Sequence, residues 1–251
     1  MTKGRARIAV GQGISVWLLD APEGFGDAGF HAHHAIQITV CLKGHLRLAT
    51  ETAEASGHAI AVRADTRHRF EAHGLLAFIF VEPESAIGRT LTAKLFGTDA
   101  LCEIGHAQFL SAIERCLNLI DSPDAQGAMI EIGNEALHAL APITCTRAPD
   151  DRVLRIIDYA SQHLDEPLTF ERAAAGIYLS GSRLRHLFVE QTGLAFRTYL
   201  LWLRLVRAVQ IYSEGRSLTA AAHDAGFADS AHFSRIFKRT FGLPATTLTR
   251  L

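Results

Sequence analysis

The chain lacks most of the features by which a sequence announces its chemistry. Among 251 residues there are four cysteines, Cys41, Cys102, Cys116 and Cys145, with no C-x-x-C pair and no metal-ligand spacing. That argues against a disulfide framework and for a reducing compartment, the cytoplasm. Cys102 and His106 stand four apart on an expected helix, where ordinary packing outweighs a metal or redox site. No secretory leader is evident, and no apolar run is long enough to span a membrane. There is no Gly-rich phosphate loop, no nucleophile elbow and no pair of catalytic carboxylates. Net charge is also nearly absent, at −1.

That small net charge hides an asymmetry. Residues 151–251 hold 13 Lys and Arg against 9 Asp and Glu, whereas residues 1–150 hold 12 against 17. The length suits two ordinary domains, each with its own core. The basic C-terminal part is the one suited to phosphate.

Within it, residues 225–242 read as a turn and a short amphipathic helix. Gly226 supplies the turn, Asp229 or Ser230 the cap, and Gly242 the stop. Phe233, Ile236, Phe237 and Phe241 make one apolar stripe. Ser230, Ala231, His232, Ser234, Arg235, Lys238 and Arg239 fall on the other face. The same plan occurs at residues 173–193, where Leu184, Leu187 and Phe188 face inward. There Ser180 or Ser182 can cap, and Arg183, Arg185 and His186 face outward. Residues 196–212 form an apolar helix between the two. Two helix-turn-helix units on one connecting helix are far more specific than either alone. A helix from Val153 to His163, buried through Val153, Leu154, Ile157 and Ala160, should precede them, and Thr169 should cap a helix starting at Phe170.

Residues 168–241 resemble the paired helix-turn-helix domain of the AraC/XylS bacterial transcription regulators. The resemblance rests on Leu168-Thr169, Ala174, Leu179-Ser180, Leu187-Phe188, Thr192-Gly193, Tyr199, Leu203-Arg204, Arg207-Ala208, Ala222, Gly226-Phe227, residues 233–238 and Phe241-Gly242. Tyr178, where a glycine is common, and the early Pro244 depart from the pattern. The resemblance implies two recognition helices entering successive major grooves. Ser182, Arg185 and His186 in the first, and Ser230, Ala231, His232 and Arg235 in the second, are the candidates for reading bases. Arg183, Ser234, Lys238 and Arg239 are expected on phosphate or on the domain's own surface.

Residues 5–82 read as short strands separated by Gly24/Gly26, Lys43-Gly44, Ser56-Gly57 and His73-Gly74, an antiparallel sandwich or barrel. Within them His31, His33, Gln37 and Gly44, then Gly57 and His68, resemble the two motifs of the cupin barrel. In metal-binding cupins such positions hold a divalent ion, which maps here to His31, His33, Gln37 and His68. Gln37 stands where those proteins have a carboxylate, and Arg63 and Asp65 replace a proline and a glycine, with Arg67 and Arg69 nearby. Regulators of the AraC type use such a barrel as a small-molecule sensor, generally without metal, so the resemblance to them implies first a metal-free effector pocket lined by His31, His33, Gln37, His68 and Arg63; no cofactor is then required.

Two amphipathic helices, at residues 104–119 and 129–140, follow as a hairpin, with Asp121 or Ser122 near the second cap. The expected architecture is α+β. It comprises a cupin-like effector-sensing barrel (1–100), a helical hairpin that covers it or dimerises (101–141), a linker (142–150) and an all-α DNA-binding domain (151–251). The expected function is a ligand-modulated, sequence-specific DNA-binding transcription regulator and not an enzyme. The alternative is a metal-dependent cupin enzyme fused to a DNA-binding domain. Expected partners are double-stranded DNA, a small-molecule effector, a second copy in a homodimer and, for an activator, RNA polymerase, with no membrane.

Overall fold

The computed structural model describes residues 5–25, 28–122, 124–142 and 149–247. Pro123, Cys145 and most of the expected linker lie outside the described residues. Contacts divide the chain into two compact units, Met1–Thr146 with Ser234–Leu251, and Arg147–Phe233.

The first unit contains β1 (Arg5–Gly11), β2 (Ile14–Ala21), β3 (Ala28–His31), β4 (Ile36–Thr50), β5 (Glu54–Ser56), β6 (Ala59–Val62), β7 (His68–Val81), α1 (Ala86–Leu95), β8 (Leu101–Glu103), α2 (Ala107–Glu114) and α3 (Gln126–Leu140). The strands form one antiparallel sheet in the order β1-β2-β7-β4-β6-β8, with β3 paired to β7 and β5 to β4. Runs such as Val16, Leu18, Ile36, Ile38 and Ile79 are wholly buried. Phe109, Ile113, Met129, Ile132, Leu137 and Leu140 of α2 and α3 complete the same core. The expected hairpin therefore covers the sheet. Gly133 lets α3 come close, since a Cβ there would lie 2.7 Å from Val16 Cγ2.

Two expected turns are not turns. Lys43-Gly44 and His73-Gly74 were expected to end strands; instead Gly44 pairs with Gly74 inside the β4–β7 ladder, next to a register shift between Cys41 and Lys43. Their φ angles are +118° and +89°. A Cβ on Gly44 would lie 2.0 Å from the His73 carbonyl oxygen, and one on Gly74 2.0 Å from that of Lys43. The glycines bend two long strands past each other, as at a β-bulge, rather than reversing either. Helix α1 was not anticipated; Ser85 caps it by accepting from the Gly88 N–H at 3.0 Å. Asp121 and Ser122 do not cap α3, whose N-cap is Ala125 with no side-chain bond.

The second unit holds α4 (Asp151–Gln162), α5 (Phe170–Ala173), α6 (Gly181–Thr192), α7 (Phe196–Ser213) and α8 (Leu218–Asp224); α9 (Ser230–Phe241) begins in it. Asp150 caps α4 and Thr169 caps α5. In α4 the buried residues are Val153, Ile156 and Ala160, while Leu154 is exposed and Ile157 half-buried. The i, i+3, i+7 spacing selects Ile156, not the expected Leu154 and Ile157. Phe188 sits edge-on to Phe170, Phe196 and Tyr199, at 6.0, 5.7 and 5.4 Å, and these rings centre the core. Gly226 turns α8 into α9 at φ +79°, where a Cβ would lie 2.1 Å from the Leu164 carbonyl oxygen.

Replacing Gly74 by alanine should cost about 2 kcal/mol or more, because the strained φ and the backbone clash add. Gly57→Ala, with open space around its Cβ, should stay within about 0.5 kcal/mol of the parent in the same urea unfolding experiment.

Candidate functional site

His31 ends β3 and His68 begins β7, directly opposite it in the ladder. Gln37 is the second residue of β4, and His33 lies in the connection before it. All four are buried. One nitrogen from each of His31, His33 and His68 can be chosen so that all lie within 4.8 Å of one another. The His31 Nδ1–H donates to the Gly29 carbonyl at 2.8 Å, and the His68 Nδ1–H to that of Thr66 at 2.8 Å. A carbonyl can only accept, so both rings carry their proton on Nδ1 when neutral and leave Nε2 a lone pair.

Burial keeps these rings neutral. It lowers the pKa of His31, lowers that of His68 well below its usual value with help from His33 and His31, and brings His33 down to about 4. The Gln37 Nε2 donates to Thr39 Oγ1 at 2.9 Å, which turns Oε1 toward the imidazoles. That oxygen lies 2.9 Å from His33 Nε2 and 3.3 Å from His68 Nε2. His33 can donate to it. The free Nε2 lone pairs of His31 and His68, with the His33 ring and the Gln37 amide beside them, make a buried, neutral donor set that fits a metal ion.

Arg63 is placed elsewhere. Its Nη2 donates to the Gly97 carbonyl at 2.7 Å and its guanidinium lies 5.5 Å from the Phe96 ring centre, just beyond α1. The end of α9, which belongs to the first unit, covers the histidines instead. The Phe241 ring lies 5.8 Å from His33, 5.5 Å from Phe80 and 4.8 Å from Trp17. A Cβ on Gly242 would meet His31 Nδ1 at 2.5 Å. Phe241 carried only a helix-stripe role in the sequence, and nothing local to it signals a histidine more than 200 positions away.

Beside the cluster lies a charged one that sequence reasoning missed. His34 Nδ1 is 2.9 Å from Asp65 Oδ2 and its Nε2 is 3.3 Å from Glu84 Oε2. Burial opposes the charge on His34, but the two carboxylates outweigh it and raise the pKa to about 9. Glu82 is pushed up to about 7, by burial first and then by Glu84. Asp65, which departs from the cupin pattern, adopts φ +60° there. These partners are 31 and 50 positions from His34, beyond any spacing rule.

On α6, Ser182, Arg183, Arg185 and His186 are exposed. Arg185 is folded back: its Nη2 bonds Glu171, and its guanidinium lies 5.2 Å from the Phe170 ring centre. Ser180 is the N-cap residue but makes no side-chain bond. On α9, Ala231, Arg235 and Lys238 are exposed, and Ser230, His232 and Ser234 half-buried. Asp229 receives the His232 N–H at 2.6 Å, as a capping residue does. Among the described residues, no helix is long and apolar enough to cross a membrane.

Residues 173–250 match the family model of a helix-turn-helix domain. Over 94 residues the chain is 37% identical to the HTH-type transcriptional activator RhaS of Escherichia fergusonii, covering 37% of this chain and 34% of that one. It is 33% identical over 115 residues to the arabinose operon regulatory protein of Escherichia coli, covering 45% and 37%. The chain thus spans roughly a third of the length of these curated relatives. The crystal structure of ToxT from Vibrio cholerae aligns over 100% of both chains with a TM-score of 0.57 and 12% identity, a likeness of fold. A ToxT structure bound to an unsaturated fatty acid aligns over 97% of this chain and 94% of that one, with a TM-score of 0.52 and 14% identity.

The carboxyl of Glu82 titrates near 7 in the folded chain instead of near 4.5. Between those values the folded state holds a proton that the unfolded state has lost. Its contribution to stability is therefore full below about 4.5 and lost as the pH rises through about 7. Glu82→Gln should be more stable than the parent at pH 8 by about 1–2 kcal/mol, with the gap closing by pH 4. Chemical unfolding at the two pH values checks this.

Proposed function

We propose that the chain acts, through residues 173–250, as a helix-turn-helix transcription regulator of the AraC/XylS type, binding DNA as one, with a small-molecule effector held in its sheet domain. The observation that carries the DNA reading is the helix-turn-helix match, joined to the exposed basic faces of α6 and α9. Arg185 and Arg235 read guanine edges, and Lys238 and Arg183 contact phosphate. Arg185 must leave Glu171 to do so. DNA of about two helical turns is the partner, RNA polymerase a second one if the protein activates, and a homodimer the expected assembly.

The effector site is the His31–His33–Gln37–His68 cluster. These residues would hold a divalent ion of the zinc, nickel, copper or iron type, since imidazoles suit those ions better than magnesium or calcium. Such an ion supplies Lewis acidity, and with four neutral ligands it favours an anionic effector. Phe241 and Gly242 lie against the cluster and end the helix that bears Ser230, Ala231 and Arg235, which gives an effector a direct route to a DNA-reading element. The fatty acid in one ToxT structure supports a small-molecule effector as a class. The relatives' names, all of regulators, favour this over an enzyme fused to a DNA-binding domain.

A footprint on the DNA upstream of its own gene should show about two protected helical turns. Arg235→Ala should cost about 1–3 kcal/mol and relax preference at one base pair. Equal loss of specific and nonspecific binding would sink the base-reading assignment. For the cluster, Zn(II) titrated into the full chain should bind near one equivalent, and His68→Ala should lose it. Gln37→Glu, by restoring an anionic ligand, should tighten binding by about tenfold or more; an unchanged affinity would show that Gln37 is not a ligand.

A further inference from the structure

The second unit contains a groove of its own, wholly within residues 167–204. Leu168 and Phe170, Phe188 and Val189, and Phe196 and Leu200 line a cavity of ≈ 560 Å³. That volume lies within the range of small-molecule sites. Its walls are mostly apolar, yet Arg185, Arg197 and Arg204 also line it, and no carboxylate does.

Arg204 is the informative residue. It is half-buried. Its Nε donates to the Leu164 carbonyl at 2.8 Å and its Nη2 to that of Glu166 at 2.9 Å. Both acceptors are neutral, and among the described residues Arg204 makes no ion pair. Burial lowers its pKa and outweighs the opposing pull of the Asp165 carboxylate. A cation partly withdrawn from water beside an apolar cavity is a charge in want of a counter-ion. Arg197 adds an exposed second cation at the rim, and Val189, 43% exposed, is an apolar residue left open to solvent.

We propose that this groove binds an apolar monocarboxylate, its hydrocarbon against Phe170, Phe188, Phe196 and Leu200 and its carboxylate on Arg204 and Arg197. The carboxylate takes the Arg204 N–H groups left over from Leu164 and Glu166 together with the exposed Arg197, and the apolar body removes the cavity walls from water. The third arginine gives the site a consequence. Arg185 rests on Phe170, a wall of the groove, so a bound acid touches the residue assigned to read a base from α6. Occupancy and DNA reading then compete for, or share, one side chain.

The test is isothermal titration of the full-length protein with decanoate and 2-naphthoate, and with 1-decanol as the uncharged probe. Decanoate or naphthoate should bind, with decanol weaker by about tenfold, the value of one charge-assisted hydrogen bond. Val189→Trp fills the mouth from an exposed position and Arg197→Glu reverses the rim charge. Each should weaken acid binding by about tenfold or more, with circular dichroism confirming the fold. His68→Ala should leave it unchanged. Failure of both acids to bind, equal affinity for decanol, or binding indifferent to both groove variants would overturn the proposal. The last outcome with loss in His68→Ala would place the acid in the sheet domain. Self-association abolished by Val189→Trp would make the groove an interface between copies, which also overturns it.

Discussion

The pairing of β4 with β7 is the constraint on which the first unit depends. It runs from Ile36 opposite Val81 to Thr50 opposite His68, and each long strand then pairs different neighbours along its two halves. β7 takes β2 at one end and β3 at the other, while β4 takes β6 and β5. The facing glycines at 44 and 74 make this double use feasible, because they let the strands bend without breaking the ladder. The same β7 strand carries β3 at its start, where His31 stands opposite His68. The imidazole cluster is therefore a by-product of register: a one-residue slip would send each strand side chain to the other face.

Two histidine environments lie side by side and behave in opposite ways. His31, His33 and His68 are buried among neutral groups and one another, so burial strips their charge and leaves lone pairs available to a metal. His34, the next residue along the chain from His33, is held between Asp65 and Glu84, and the carboxylates keep it charged against the same burial. Adjacent positions thus serve opposite chemistries because their side chains point to different neighbours.

In the second unit the rings of Phe170, Phe188, Phe196 and Tyr199 hold α5, α6 and α7 together, leaving the outer face of α6 to polar and basic residues. The same aromatic packing forms the wall of the arginine-rimmed groove. Arg185 belongs to both the outer face and the groove, and in the free protein Glu171 and the Phe170 ring hold it against α5.

Much of the fold is legible in the sequence. The apolar spacing of residues 233, 236, 237 and 241, the glycines at 193, 226 and 242, the cap at Thr169 and the strand-like runs near residues 16, 38 and 79 all act through neighbours within about four positions, where helix and strand periods and capping rules operate. His31, His33, Gln37 and His68 also stand out together, through spacing and resemblance. Tertiary structure decided what those rules cannot reach. It placed Gly44 and Gly74 within a ladder instead of in turns, since a positive φ serves either. It brought Asp65 and Glu84 to His34, set Phe241 over His33, and folded Arg185 onto Glu171. Each of these is a contact between distant positions, selected by the packing of whole elements, so no local pattern in the chain encodes it.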